Sequence, residues 1–128
     1  MPFEHQKEAR TFRVLMGQPT DNSSRCTSTL QLRLIAEEFE EFTEAHLEAV
    51  DNLTNKRARE HALKELADLC YVAYQYAAAA GWDLDEALTR VHESNLSKLD
   101  DDLRPIKRAD GKVMKGPNYK PANLIDLV

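Results

Sequence analysis

The 128-residue sequence predicts an all-α protein, a four-helix antiparallel bundle with an irregular basic C-terminal arm. Three observations predict it. Apolar residues recur at helical spacing over long stretches, and no segment alternates with period two for long, so strand signals are absent. Start and stop signals divide residues 1–99 into four such stretches. Beyond them stand Pro105, Gly111, Gly116, Pro117 and Pro121, which forbid a long helix.

The first helix is expected from about Glu4 to Met16, stopped by Gly17 with Pro19 beyond. "QPTDNSSRCTST" then reads as a loop, rich in side chains that bond to nearby backbone. A second helix should start near Thr29 and reach about Val50, with "DNLTN" as a turn. A third should cover roughly Lys56 to Ala80 and close at Gly81. Asp83 followed by Glu86 has the spacing of an N-cap and its capping-box partner, opening a fourth helix that runs to about Leu99. The length suits one domain over 1–128, a bundle over 1–99 carrying an arm over 100–128.

Composition narrows the function. With 42% hydrophobic and 30% charged residues the chain reads as soluble and globular. The apolar run "YVAYQYAAAAGW" is too short to span a bilayer, and the charged "MPFEHQKEAR" shows no leader, so no membrane partner is expected. Two cysteines make no disulfide framework, which suggests a reduced, cytoplasmic setting (the host cytoplasm if the chain is phage-encoded). A net charge of −5 argues against nucleic-acid binding. The arm is locally basic, from Arg104 to Lys120, and suits either an anion held at the acidic centre or a solvated tail. Apolar residues on several sides of the helices, including Tyr71, Tyr74 and Ala77–Ala80, suggest a homodimer or homotetramer.

Acidic residues on inward faces are the chemical signal. At about 100° per residue, Ile35, Phe42 and Ala49 lie close to Glu38 around the helix axis, and Leu34 and Ala45 lie close to Glu41. Glu37 falls at the edge of this face. The third helix repeats the device: Glu65 and Asp68, again i and i+3, share a face with Ala62, Leu69, Val72 and Tyr76. One such pair alone is ordinarily a solvated face. Two pairs in apolar stripes of neighbouring helices bring four carboxylates together, and these repel strongly unless a cation sits among them. Hard divalent cations such as Mg²⁺ and Mn²⁺ take oxygen ligands and retain water positions where a polyphosphate can bind. A di-iron bundle needs Glu-x-x-His, but Thr43, Ala58 and Thr89 stand three residues before His46, His61 and His92. On the fourth helix the stripe of Leu84, Ala87, Leu88 and Val91 continues into Asn95 and Lys98, an amide and an ammonium suited to phosphate oxygens.

"EEFEE" (Glu37, Glu38, Glu41), then residues 42–64, then "ELAD" (Glu65, Asp68) resembles the E-E-x-x-E … E-x-x-D signature of the all-α nucleoside triphosphate pyrophosphohydrolases. "VLMGQP", "LRLIAEE", "ESNLSKL" and "GKVMKGPNY" look most like the MazG-like, phosphoribosyl-ATP-pyrophosphohydrolase-like branch. The resemblance implies hydrolysis of a nucleoside triphosphate to monophosphate and pyrophosphate. It implies Mg²⁺ or Mn²⁺ on Glu38, Glu41, Glu65 and Asp68, with Glu37 beside Glu38 as a group that supports the ligands, an additional ligand or the group that orients water. Asn95 and Lys98 would face the phosphates, and Lys115, Asn118 and Tyr119 would close over the nucleotide. The tail resembles the phage branch acting on dGTP; dUTP, dCTP and phosphoribosyl-ATP stay open as substrates. A non-catalytic acidic binding module is the competing class.

Overall fold

The computed structural model describes residues 4–22 and 24–128. It contains helices α1 (His5–Leu15), α2 (Arg25–Asp51), α3 (Lys56–Ala80) and α4 (Leu84–Leu96), so the all-α expectation holds. The chain forms two compact units, one ending at Trp82 and one spanning Asp83–Val128.

In the first unit α2 begins four residues before the expected Thr29. The Ser/Thr-rich run read as a loop contains its own cap: Ser24 Oγ accepts the Thr27 N–H at 3.1 Å, and the helix continues from there. Ser23, part of the same run, lies outside the described residues. Asn55 caps α3 by accepting the Ala58 N–H, and Gly81, at φ 82°, ends it while the Trp82 N–H reaches Ala77 O at 2.8 Å. The short connection Asn52–Asn55 folds α3 back along α2, and α1 lies on α3. A buried polar stitch joins these last two. The Arg13 guanidinium, 2% exposed, donates to Pro19 O at 2.6 Å and to Gln75 Oε1 at 3.3 Å, while the Gln75 amide donates to Ala9 O. The loop after α1 covers the end of α3, where the Asp21 and Asn22 N–H groups donate to Ala78 and Ala79 carbonyls.

The fully buried apolar residues, among those described, are all alanines: Ala9, Ala45, Ala49, Ala58, Ala77, Ala78 and Ala79. Small side chains let the helices approach closely but bury little area each. Larger ones stay out: Leu32, Phe39, Leu47 and Leu63 are more than half exposed. Among the described residues no helix is long and apolar enough to cross a membrane. Cys26 and Cys70 are exposed free thiols.

In the second unit Asp83 caps α4 as expected, accepting the Glu86 N–H at 3.1 Å. The helix stops at Leu96 and not near Leu99. The Ser97 hydroxyl donates to Ser94 O at 2.6 Å and accepts the Lys120 N–H at 2.9 Å, so the returning arm takes over where the helical ladder would have continued. The arm also contains what the absence of strand signals did not announce, a small antiparallel pair, β1 (Ile106–Lys107) with β2 (Val113–Met114). Strands of two residues are too short for alternation to show. Gly111, at φ 90°, turns the hairpin. The arm then passes so close to the end of α4 that a Cβ on Gly116 would lie 2.4 Å from Lys98 O. Finally Arg90 fastens the C-terminal segment, donating to both carboxylate oxygens of Asp126, to Asn123 O and to Glu86.

Candidate functional site

The buried face of α2 carries Gln31, Ala45 and Ala49, with Leu34, Ile35, Glu38 and Phe42 partly covered beside them. Glu38 lies at the centre of that arc, since Gln31, Ala45 and Ala49 all fall within about 20° of it around the axis. Glu65 stands equally central on α3, in line with Ala58, Leu69, Val72 and Tyr76, and is only 6% exposed. Pairing the two helices on these faces brings the carboxylates together. Glu38, Glu65 and Asp68 each offer an oxygen within 4.8 Å of the other two.

Two oxygens of this group, Glu38 Oε2 and Glu65 Oε2, are buried without a hydrogen-bond partner. Such atoms are costly unless something satisfies them. Burial, then the charge and hydrogen bonding of Glu41, and then the charges of Asp68 and Glu65 hold the Glu38 carboxyl above its ordinary value. The positive charge nearby is Lys64, whose Nζ lies 2.6 Å from Asp68 and 3.5 Å from Glu65, on an exposed side chain. His61 Nε2 approaches the same oxygen of Glu65, Oε1, at 3.2 Å, and its Nδ1 lies 3.8 Å from Glu48 on α2.

A divalent cation fits this donor set. Hard ions bond oxygens at about 2.0–2.6 Å, so two oxygens on one ion stand up to about 4–5 Å apart. The set is all carboxylate, partly buried, and has unpartnered oxygens. Glu41 stands beside Glu38 but is exposed and outside the group of three; Glu37 is exposed as well.

The remaining sequence candidates lie in the second unit. Asn95 is in the last turn of α4 and exposed, while Lys98 falls beyond the helix end, so the two do not continue one helical stripe. Lys98 is instead met by the arm at Gly116. Lys115 Nζ lies 4.8 Å from the centre of the Tyr119 ring, a cation–π contact, and the Asn118 amide donates to Asp101 at 2.7 Å. The structure thus gathers Lys98, Lys115, Asn118 and Tyr119 at one end of α4.

His61, Lys64 and Glu48 were not among the sequence candidates. The signal for the first was present as His61–Glu65 at i and i+4, one helical turn apart. Gln31 was likewise missed; it stands two turns from Glu38 on the same buried face, with its Oε1 unpartnered.

An all-α chain whose two longest helices converge inward-facing carboxylates defines a class, the MazG-like all-α nucleoside triphosphate pyrophosphohydrolases. A family model described as phosphoribosyl-ATP pyrophosphohydrolase matches residues 9–95. The chain belongs to that family, and it is a pyrophosphohydrolase, a hydrolase acting on acid anhydrides. The match takes in Glu37, Glu38, Glu41, Glu65, Asp68 and Asn95, and ends before Lys98, Lys115, Asn118 and Tyr119. No curated protein matches the chain.

Proposed function

We propose that this protein hydrolyses a nucleoside triphosphate between its α and β phosphates, releasing the monophosphate and pyrophosphate, with Mg²⁺ or Mn²⁺ held by Glu38, Glu41, Glu65 and Asp68. The observation that carries the reading is the convergence of Glu38, Glu65 and Asp68 with two buried, unpartnered oxygens among them. When bound, such an ion supplies charge neutralisation on the phosphates and a lowered pKa for a coordinated water. Glu38, whose carboxyl burial and acidic neighbours hold above its ordinary value, would serve as one of the ligands. Glu41 adds a fourth negative charge next to it. Glu37, the neighbouring exposed carboxylate, is assigned to orienting the attacking water. Asn95 and Lys98 are assigned to phosphate oxygens, and Lys115, Asn118 and Tyr119 to the nucleotide. These last five are chosen for their chemistry and for the resemblance of "ESNLSKL" and "GKVMKGPNY" to the superfamily.

The exposed leucines and Phe39, set against buried apolar residues that are, among those described, all alanine, support a second copy of the chain covering them as a homodimer or homotetramer. The exposed thiols of Cys26 and Cys70 support a reduced, cytoplasmic setting in which residues 1–128 act as one catalytic domain.

The test is a panel of ribo- and deoxyribonucleoside triphosphates, dGTP, dUTP and dCTP included, incubated with Mn²⁺ and resolved by chromatography beside a Glu38→Gln control. Monophosphate and pyrophosphate, lost in the control, support the proposal; the tail's resemblance puts dGTP first. Diphosphate and orthophosphate contradict it. The family match favours one second reading, phosphoribosyl-ATP as substrate, and that compound belongs in the same panel. No turnover of any member leaves a metal-binding helical module.

A further inference from the structure

The two oxygens of Glu65 live in different surroundings. Oε1 is met by His61 Nε2 at 3.2 Å, whereas Oε2 is buried with no partner. His61 is itself half exposed, one turn before Glu65 on α3, and its other nitrogen faces Glu48 across the α2–α3 pairing at 3.8 Å. His61 is not part of the group whose atoms lie within 4.8 Å of one another. Among the described residues, its ring meets the cluster through Glu65.

We propose that His61 is a positioning residue of the metal centre: it holds Oε1 of Glu65 so that Oε2 is the oxygen presented to a divalent cation together with Glu38 and Asp68. This rests on the reading of that cluster as a cation site.

The physical argument concerns rotation and charge. A glutamate on a helix turns freely about its terminal torsion, which is broad. A hydrogen bond to one oxygen selects one setting and removes that freedom before an ion arrives. Imidazole suits the task because it is rigid, with its ring direction set by two torsions. Lys64 cannot replace it. Its ammonium is a mobile point charge already 2.6 Å from Asp68, and at 3.5 Å from Glu65 it makes the longer of the two contacts to Oε1. Partners of this kind, bonded to a ligand and not to the metal, typically govern metal affinity by about 10–100-fold.

The test measures Mn²⁺ binding directly on the full chain, by electron paramagnetic resonance of the free ion and by calorimetry, without substrate. The variants are His61→Leu, which keeps bulk and removes the donor, and His61→Gln, whose amide restores an N–H toward Oε1. Glu65→Gln and Glu38→Gln define loss of the site. His61→Leu should weaken Mn²⁺ binding by about 10–100-fold while melting like the wild type without metal, and His61→Gln should recover most of the affinity. Wild-type affinity in His61→Leu, with binding lost in the two carboxylate variants, overturns the role of His61 and leaves the cation site standing. Equal weakness of the Leu and Gln variants overturns it too, since donor chemistry would then not matter. If the wild type binds no Mn²⁺, the cation site and the role of His61 fall together.

Discussion

Two places in this molecule hold carboxylates close together, and they treat them oppositely. Between α2 and α3, Glu38, Glu65 and Asp68 converge while the nearby cation, Lys64, sits on an exposed chain at the edge. On α4, Glu86 and Asp126 meet a guanidinium that donates to both of them. The consequences differ in sign. Glu38 is held above its ordinary 4.5 by burial and by its acidic neighbours, whereas the hydrogen bonds of Arg90 hold Asp126 below its ordinary 3.8. The first arrangement is poor for stability and is what a site that binds a cation requires. The second is complete in itself and fastens a chain terminus.

The largest effect expected from breaking the contrast is catalytic. Glu65→Gln should lower pyrophosphohydrolase turnover by about two to three orders of magnitude, the size of losing several kcal/mol of charge stabilisation in the transition state. Glu86→Gln, in the satisfied region, should leave turnover near wild type in the same assay. Next comes ligand-linked stability. Mn²⁺ at about 100 times its dissociation constant should stabilise the fold by about 2.7 kcal/mol, visible as a rise in melting temperature that chelation reverses and Glu38→Gln removes.

The pH response sharpens the comparison further. Because the folded pKa of Glu38 is raised, the native state binds its proton more tightly than the unfolded chain. Metal-free stability should therefore lose the Glu38 contribution as pH rises from about 4.5 through the raised value, and Glu38→Gln should remove that part of the slope. Asp126 behaves in the other direction: its contribution is present above pH 3.8 and is lost as pH falls through the lowered value. Denaturation followed across pH, with and without Arg90→Gln, separates the two. The smallest effect belongs to Arg90→Gln at neutral pH. Amide exchange should quicken over residues 120–128, while the melting of the α1–α3 unit stays where it was.

Much of this was legible in the chain. Gly17, Gly81 and the Asp83 cap marked helix ends correctly because caps are local, decided by side chains within three or four residues of the backbone they serve. The start of α2 was read late for a related reason. Ser and Thr side chains serve loops and caps alike, and only the geometry at Ser24 shows which. The end of α4 was read late because its competitor, the Lys120 N–H on Ser97, arrives from 23 residues away.

By itself the sequence determined four helices, their polarity of capping, and the anomaly of Glu38, Glu65 and Asp68 on inward faces; it set Glu41 inward too, but that residue is exposed. Helical periodicity fixes the angle of each side chain about its own axis, and nothing more distant is needed for that. Only the tertiary structure decided which carboxylates meet, leaving Glu37 and Glu41 exposed, and which neighbours they acquire in His61 and Lys64. It also decided that Arg13 is buried against Gln75 and that the arm returns to Arg90. Those outcomes depend on the rotation and sliding of one helix against another, set by how closely the alanine faces pack. No periodicity within a single helix encodes that relation.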